Sequence, residues 1–305
     1  MKNYLLILVI SITFSCNYSN KKQLTVSGNT STSIITNDYE LIIAKEQKGL
    51  LIIFPGAGAT SKETKEEFNI VKPALKNGIS ILLMNYRSRL WIEDPACKKL
   101  EKQLNDIINT HHLKLNNLYI GGISIGGNTT LILSDYLIES NSKINPKGVF
   151  IVDSPLDLYG LYESSIKDIN REDFSEKRLA EPKEIIQFFE SEFGENKMLL
   201  TNIQKISPYT FKTNSIQNII NLKNIKTRFY TEPDKQWWKT VRQTDYESTN
   251  AYYINKLTKQ LQNEDWNYTE YITTTNKGYR ANGERNPHSW SIIDVPNLLD
   301  WILER

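Results

Sequence analysis

Residues 122–126 read Gly-Ile-Ser-Ile-Gly, a G-x-S-x-G pattern that lies between a strand-like segment and a helix-like segment. The preceding residues 117–121 are apolar and β-prone, whereas residues 128–138 carry apolar side chains at helical spacing. A serine on such a sharp turn has a strained backbone, and the two glycines let the strand and the helix pack closely. The pattern predicts that Ser124 is a nucleophile held at the carboxyl edge of a sheet. The alternative is a glycine-rich turn that carries no chemistry.

The composition is that of a folded, soluble protein with a sizeable core. The chain has 305 residues, of which 39% are hydrophobic and 24% are charged. This length suits either two domains or one α/β domain with an insertion. The formal net charge is +2 and there is no long basic block, which argues against a nucleic acid as the partner.

The N-terminus has the pattern of a targeting segment rather than of a folded element. Lys2 is followed by the apolar residues 4–14, which are too few to span a bilayer as a helix, and then by Ser15 and Cys16. This arrangement resembles a bacterial lipoprotein signal peptide, which implies that Cys16 becomes the lipid-acylated first residue after cleavage. Residues 13–16 read Thr-Phe-Ser-Cys and depart from the common form, which prefers leucine at the first position. A plain secretory signal and an N-terminal anchor helix are the alternatives.

This interpretation divides the chain into a signal peptide (1–15), a polar, flexible tether (16–33) and a folded domain (34–305). The resemblance implies a protein of the bacterial cell envelope, held on the membrane by its N-terminal lipid and outside the cytoplasm. Cys97 is the other cysteine of the chain, so no internal disulfide is expected once Cys16 is acylated. Cys97 lies in a helical stretch and is expected to be a small packed residue.

The folded domain alternates predicted strands with predicted helices. Apolar, β-prone runs predict strands at residues 39–44, 49–54, 78–86, 117–121, 148–152, 225–231 and 268–274. Helical spacing predicts helices at residues 62–76, 94–112, 128–138 and 295–303. This alternation predicts an α/β fold with a doubly wound, mostly parallel sheet, whose sites lie at the carboxyl ends of the strands. Residues 156–222 break the alternation and are predicted to form an inserted helical cap over that edge.

A G-x-S-x-G serine in this order of elements resembles the α/β-hydrolase superfamily, and the resemblance covers about residues 39–305. It implies a catalytic triad in the chain order serine, acid, histidine. In such a triad the histidine takes the serine proton and the acid orients the imidazole. His288 lies in the loop between the last predicted strand and the last predicted helix, where the superfamily has its base. His111 and His112 precede Ser124 and are expected to be solvated at the end of a helix.

The acid of the triad is expected after a strand that lies between Ser124 and His288 in the sequence. Asp234 follows the predicted strand 225–231 and matches the superfamily's position best. Glu232 lies in the same outlet and is a rival. Asp153 directly follows the predicted strand 148–152, and some members of the superfamily place the acid there.

Acyl transfer also needs fixed N–H donors for the oxyanion of its transition state. The resemblance implies that the backbone N–H groups of Ala57 and Ile125 form this oxyanion hole. Residues 55–58 read Pro-Gly-Ala-Gly where the superfamily often has His-Gly, so the departure lies at the first position. Gly56 or Gly58 would supply the first donor if the loop is shifted.

These residues predict a serine hydrolase, and more narrowly a carboxylesterase that cleaves a small-molecule ester through an acyl-serine intermediate. No cofactor is implied, and the sequence has no clustered metal ligands, dinucleotide-binding loop or P-loop. The same triad serves a peptidase or amidase, which is one alternative. A lipoprotein that binds a ligand without turnover is another, because a fold alone does not decide function.

Overall fold

A computed structural model describes residues 24–27, 31–86 and 89–304 of the chain. The predicted signal peptide (1–15) and the predicted lipidation site Cys16 lie outside the described residues. Within the described ranges, no helix combines the length and the apolar character that crossing a membrane requires.

The described residues form one sheet of nine strands in the order β1-β2-β3-β5-β4-β6-β7-β8-β9. The strands are β1 (Leu24–Ser27), β2 (Ser31–Ile35), β3 (Tyr39–Ala44), β4 (Gly49–Phe54), β5 (Ile79–Met84), β6 (Leu118–Ile123), β7 (Gly148–Val152), β8 (Lys226–Thr231) and β9 (Thr269–Thr273). The six strands from β4 to β9 pair in parallel, whereas β1, β2 and β3 pair antiparallel. The predicted α/β fold with a mostly parallel sheet is therefore confirmed.

Helices cover both faces of the sheet, as a doubly wound fold requires. They are α1 (Ser61–Glu67), α2 (Val71–Lys76), α3 (Asp94–Thr110), α4 (Ile125–Glu139), α5 (Leu158–Ile169), α6 (Glu176–Phe193), α7 (Asn196–Gln204), α8 (Lys235–Arg242), α9 (Asn250–Asn263) and α10 (Val295–Leu303). On one face, α3, α4 and α9 bury Leu100, Leu131 and Ile254. On the other face, α2 and α10 bury Ala74 and Ile302. Strands β4 to β7 are buried throughout, which explains their continuous apolar sequences.

The strand order reverses at β4, because β5 lies on one side of this strand and β6 on the other. Phe54 at the end of β4 is in register with Gly122 of β6, so the loops after these two strands leave the sheet side by side. In open α/β sheets a ligand-binding crevice forms at such a point. The topology therefore places the turn at Ser124 next to the loop that contains Ala57.

The segment 62–76, predicted as one helix, is divided into α1 and α2 by Phe68. The Phe68 backbone is extended and ends α1, and its side chain is buried. The ring stacks on Trp290 with 4.5 Å between the ring centroids. Burial of this aromatic ring against a distant partner interrupts the helix, which local spacing alone did not indicate.

The predicted tether is wrong for part of its length. Residues 24–27 form β1 and residues 31–33 begin β2, and β2 pairs antiparallel with β3. These residues, most of them serine or threonine, are held by backbone hydrogen bonds at the edge of the sheet. Their composition resembles that of a linker because such bonds do not depend on apolar side chains.

The residues between β7 and β8 form the inserted helical cap. They include α5, α6, α7 and a 3₁₀ segment at Gln217–Asn224. Asp157 accepts hydrogen bonds from Gly160 N and Phe211 N, both at 2.8 Å, and so ties the start of the cap to its later part. Burial raises the pKa of the Asp157 carboxyl to about 6. A buried acidic side chain thus joins the first helix of the cap to the segment at Phe211.

Candidate active site

Ser124 lies at the turn between β6 and α4. Its backbone has φ 55° and ψ −132°, a conformation that residues other than glycine rarely adopt. Ser124 N donates a hydrogen bond to Val152 O at 3.0 Å, and Ser124 O accepts one from Gly127 N at 2.9 Å. The surrounding backbone therefore holds the strained turn in place.

The two glycines of the G-x-S-x-G pattern are required by close backbone contacts. A Cβ atom on Gly122 would lie 2.2 Å from Gly126 O, and one on Gly126 would lie 2.3 Å from Pro55 O. Neither distance leaves room for a side chain. The pattern thus packs β6, α4 and the loop after β4 against one another around Ser124.

His288 is paired with Asp153. The distance between His288 Nδ1 and Asp153 Oδ2 is 2.7 Å, and the two side chains are 22% and 4% exposed. Asp153 directly follows β7 with φ 42°, and its carbonyl oxygen accepts a hydrogen bond from Asn250 Nδ2 at 2.8 Å. Since a carboxylate only accepts hydrogen bonds, Nδ1 is the protonated nitrogen, and Nε2 is the acceptor of the neutral imidazole.

The expected pairing of His288 with Asp234 is wrong. Asp234 Oδ1 accepts a hydrogen bond from Trp237 N at 3.0 Å and caps α8, while Asp234 Oδ2 accepts one from Arg285 Nη2 at 2.7 Å. The rival Glu232 is buried and also bound by Arg285. Both carboxylates that follow β8 therefore bind the guanidinium of Arg285, and the third candidate, Asp153, contacts the imidazole.

Sheet register brings Ser124 and Asp153 together. Ile123 of β6 is paired with Val152 of β7, so the residues that follow them leave neighbouring strands, which lie about 4.8 Å apart, at the same level. His288, bound to Asp153, lies at this same edge. Among the described residues no direct hydrogen bond joins Ser124 and His288. In enzymes without substrate such bonds are often long and shorten when substrate binds.

The two predicted oxyanion donors differ in their relation to Ser124, since Ile125 follows it in the chain and Ala57 belongs to a loop that lies close to it in space. Ile125 is the first residue of α4, so its N–H has no carbonyl partner one turn earlier in the helix. Ala57 lies in the turn after β4, and a Cβ on the adjacent Gly56 would be 3.6 Å from Ser124 Cβ. Neither N–H donates to a backbone carbonyl of the described residues. Their use as an oxyanion hole stays a prediction.

An apolar cluster of the cap packs against the residues beside Ser124, and we call it the cap cluster. Its buried members are Leu90, Trp91, Ile125, Leu158, Ile185, Phe189, Leu199, Ile203 and Ile206, with Ala57 at its margin. Trp91 contacts Phe188, Phe189 and Phe193 with ring centroids 4.8 to 6.1 Å apart. Both predicted oxyanion residues thus contribute side chains to an apolar, aromatic environment.

His111 and Cys97, the other residues discussed from the sequence, pack within the fold and are not part of the candidate site. His111 Nε2 is 3.0 Å from Tyr39 Oη, and burial lowers the pKa of this imidazole. Cys97 is fully buried in the core, as predicted, and burial raises the pKa of its thiol to about 12. The described residues contain no group of three or more histidine, cysteine or acidic side chains arranged to hold a metal ion.

Arg285 and Asn250 were not among the residues predicted from the sequence, although each contacts one or two of the acids discussed above. Arg285 lies three residues before His288 and binds Glu232 and Asp234, while Asn250 begins α9 and binds Asp153. The sequence offers no specific signal for Arg285, since the same loop also contains Lys277 and Arg280. It offers none for Asn250, whose contact depends on the packing of α9.

The sequence matches no protein-family model, and no curated protein is significantly similar to it. Solved structures are similar in fold. A fungal esterase from Rhizomucor miehei has 11% identity and a TM-score of 0.55 over 93% of this chain and 83% of that chain. An esterase of the bacterial hormone-sensitive lipase family has 11% identity and a TM-score of 0.52, with coverages of 93% and 84%.

A third similar structure is the substrate-bound, fluorophosphonate-binding serine hydrolase F of Staphylococcus aureus. It has 12% identity and a TM-score of 0.50 over 93% of this chain and 98% of that chain. At such low identities these similarities establish the fold alone. Together with the strand order and the Ser124 turn, they show that the chain has the α/β-hydrolase fold.

Proposed function

We propose that this protein is a serine hydrolase, most specifically a carboxylesterase that cleaves small-molecule esters. The observation that carries the proposal is the Asp153–His288 hydrogen bond at the same sheet edge as the strained Ser124 turn. A serine in that conformation presents its hydroxyl outward, and a histidine oriented by a carboxylate is the base that such a hydroxyl needs.

In the proposed reaction, Ser124 Oγ attacks the ester carbonyl carbon while His288 Nε2 takes the hydroxyl proton. The N–H groups of Ala57 and Ile125 stabilise the resulting oxyanion, and Asp153 stabilises the imidazolium. Collapse of the tetrahedral intermediate breaks the C–O bond, and His288 returns the proton to the leaving alcohol. Water then attacks the acyl-serine by the same route and releases the carboxylic acid.

The cap cluster favours an ester with an apolar acyl or alcohol group. This cluster includes Ile125 and packs against Ala57, the two residues whose N–H groups would face the reacting carbonyl. Apolar parts of a substrate gain free energy when they leave water for such a surface. The names of the similar solved structures, which include esterases, agree with an ester as the substrate but do not bear on its apolar group.

A fluorophosphonate probe tests the proposal on the soluble domain, with intact mass as the readout. We expect one adduct on the wild type and none on Ser124→Ala, because only an activated serine displaces fluoride from phosphorus. Ser191→Ala, which removes an exposed hydroxyl of α6 that donates to Phe188 O, is the matched control and should label fully. Folded wild type that does not react would refute the serine hydrolase and favour a ligand-binding protein.

Paired chromogenic substrates then separate an esterase from an amidase. Hydrolysis of p-nitrophenyl esters without hydrolysis of the matching p-nitroanilides is the expected result. Comparable rates on both would instead support a peptidase or amidase of the same fold. Because both substrates release a coloured product, one assay format serves both.

We further propose that Cys16 carries a lipid that tethers the protein to the bacterial cell envelope, outside the cytoplasm. The apolar residues 4–14 and the following Ser15-Cys16 support this proposal. Full-length protein expressed in a bacterium should enter the detergent phase on phase separation, and Cys16→Ser should remain in the aqueous phase. An unchanged distribution of Cys16→Ser would contradict lipidation.

A further inference from the structure

The guanidinium of Arg285 joins the loop that carries His288 to the end of β8. Arg285 Nη2 donates to Glu232 Oε1 and to Asp234 Oδ2, the second at 2.7 Å, and Nη1 donates to Gly278 O at 2.6 Å. The Arg285 side chain is 19% exposed and that of Glu232 is 1% exposed. One cation thus binds two carboxylates and the far side of its own loop.

Glu232 is the buried anchor of this arrangement. Besides Arg285, Glu232 Oε2 accepts hydrogen bonds from Thr274 Oγ1 and Lys277 N, both at 2.8 Å, and from Gly278 N at 3.2 Å. A buried carboxylate is stable only when its charge is paired and its oxygens are hydrogen-bonded. If the loop after β9 moved away from β8, the Glu232 carboxylate and the Arg285 guanidinium would each lose its oppositely charged partner.

A short chain of contacts continues from this anchor to His288. Asn286 N donates to Gly278 O at 2.9 Å, and Asn286 Oδ1 accepts a hydrogen bond from His288 N at 2.9 Å. A Cβ on Gly278 would lie 2.6 Å from Pro287 Cα, so the two sides of the loop are in close contact. On the other side of His288, the buried Trp290 stacks on Phe68.

From these contacts we infer that Arg285 is a positioning residue for His288, anchored by Glu232 and Asp234. This inference rests on the proposed function, in which His288 is the base. Asp153 fixes the imidazole through Nδ1, and Arg285 fixes the backbone from which the imidazole extends. The carboxylates at the outlet of β8 thus act on the histidine indirectly, through the loop.

The test measures the rate constant of fluorophosphonate labelling by folded protein, together with kcat and KM on a p-nitrophenyl ester. Arg285→Gln removes the charge, and we expect labelling and kcat to fall by about 100-fold, as small misplacement of a catalytic group does. KM should stay within about threefold, because Arg285 does not contact the substrate in this scheme. Arg285→Lys keeps the charge without the planar fork and should recover part of the rate.

Arg171→Gln is the matched control. Like Arg285, Arg171 binds a carboxylate and a backbone oxygen, which belong to Asp173 and Gln243, but Arg171 itself lies in the cap between α5 and α6. This variant should label at the wild-type rate. A purely structural role of Arg285 would lower the folded fraction without slowing the folded molecules, so wild-type labelling rates in folded Arg285→Gln would overturn the inference. A raised KM with unchanged kcat would also overturn it.

If Arg285→Gln does not fold, Asp234→Asn decides the question. Asparagine keeps an oxygen for the α8 cap and removes only the charge that Arg285 binds. The expected result is a three- to tenfold loss of kcat at constant KM, about 1 kcal/mol of transition-state stabilisation, and an unchanged kcat would refute the positioning role. Failure of wild type to label at all would instead refute the proposed function, so the two failures are distinguishable.

Discussion

At the scale of single residues, the role of each acid follows from where its oxygens are bound. Asp153 has one carboxylate oxygen on His288 Nδ1, whereas the Asp234 oxygens are bound to Trp237 N and Arg285. The positive φ of Asp153 turns the chain at the end of β7. The resemblance favours the acid after β8, Asp234, over Asp153, but only Asp153 contacts the imidazole.

Asp153→Asn and Asp234→Asn should therefore differ strongly in activity. Asp153→Asn leaves the shape of the site but replaces a carboxylate, which only accepts hydrogen bonds, by an amide that also donates them and so no longer selects the Nδ1–H tautomer or stabilises an imidazolium; kcat/KM should fall by about 10³- to 10⁴-fold. Asp234→Asn should lose no more than about tenfold, because it acts only through Arg285. Initial rates on a p-nitrophenyl ester measure both, and an equal or larger loss in Asp234→Asn would contradict the assignment.

At the scale of elements, the site is formed where β4, β6 and α4 meet. Gly122 and Gly126 remove the side chains that would separate these elements, and Gly127 lies against Ser154 in the same way. At the start of α4, the Ile125 N–H then lies beside Ser124 without a carbonyl partner one turn earlier. The geometry of the candidate site thus depends on backbone packing between three elements.

Gly126→Ala should destabilise the fold as well as reduce activity. Its Cβ would lie 2.3 Å from Pro55 O, so β4 and α4 must separate, at a cost of about 1–3 kcal/mol in the free energy of unfolding. Urea denaturation followed by circular dichroism measures this cost. Gly56→Ala is the control, because its Cβ would meet Ile123 Cγ2 at 3.4 Å and should cost much less. Equal stabilities of the two variants would contradict this account.

At the scale of the whole molecule, a buried acid outside the candidate site joins the end of the cap to helix α4. Asp135 of α4 accepts hydrogen bonds from Asn221 N at 2.8 Å and Asn221 Nδ2 at 2.9 Å, and Asn221 lies in the last turns of the cap. Burial raises the pKa of the Asp135 carboxyl to about 6. The attachment of the cap is therefore linked to protonation.

Stability should decrease as the pH rises from about 4 to about 6. In this window the folded protein retains the Asp135 proton that the unfolded chain has already lost, so unfolding releases a proton and becomes easier at higher pH. Asp135→Asn keeps an acceptor for Asn221 N, and it should reduce the decrease in the free energy of unfolding over this pH range by roughly 2 kcal/mol. Urea denaturation at several pH values measures it. Asp300→Asn, an exposed carboxyl of α10, is the control, and identical profiles for both variants would contradict the prediction.

The sequence by itself determined the class of fold, the Ser124 turn and the position of His288 between the last strand and the last helix. These features are local, because a buried parallel strand needs an unbroken apolar run and a strand-to-helix turn needs glycines at fixed spacing. The inserted cap was visible as a loss of strand and helix alternation. The break at Phe68 and the pairing of β1 and β2 were not visible, since each depends on a distant partner.

Only the tertiary structure decided which acid contacts His288 and what the other two acids do. Asp153 and His288 are 135 positions apart in the sequence, and their contact results from the path of the loop after β9, whereas the register of β6 and β7 brings Ser124 beside Asp153. Arg285 of that loop binds Glu232 and Asp234, two acids that follow a different strand, β8. A carboxylate's role depends on which donor the folded chain brings within about 3 Å, and sequence spacing does not contain that distance.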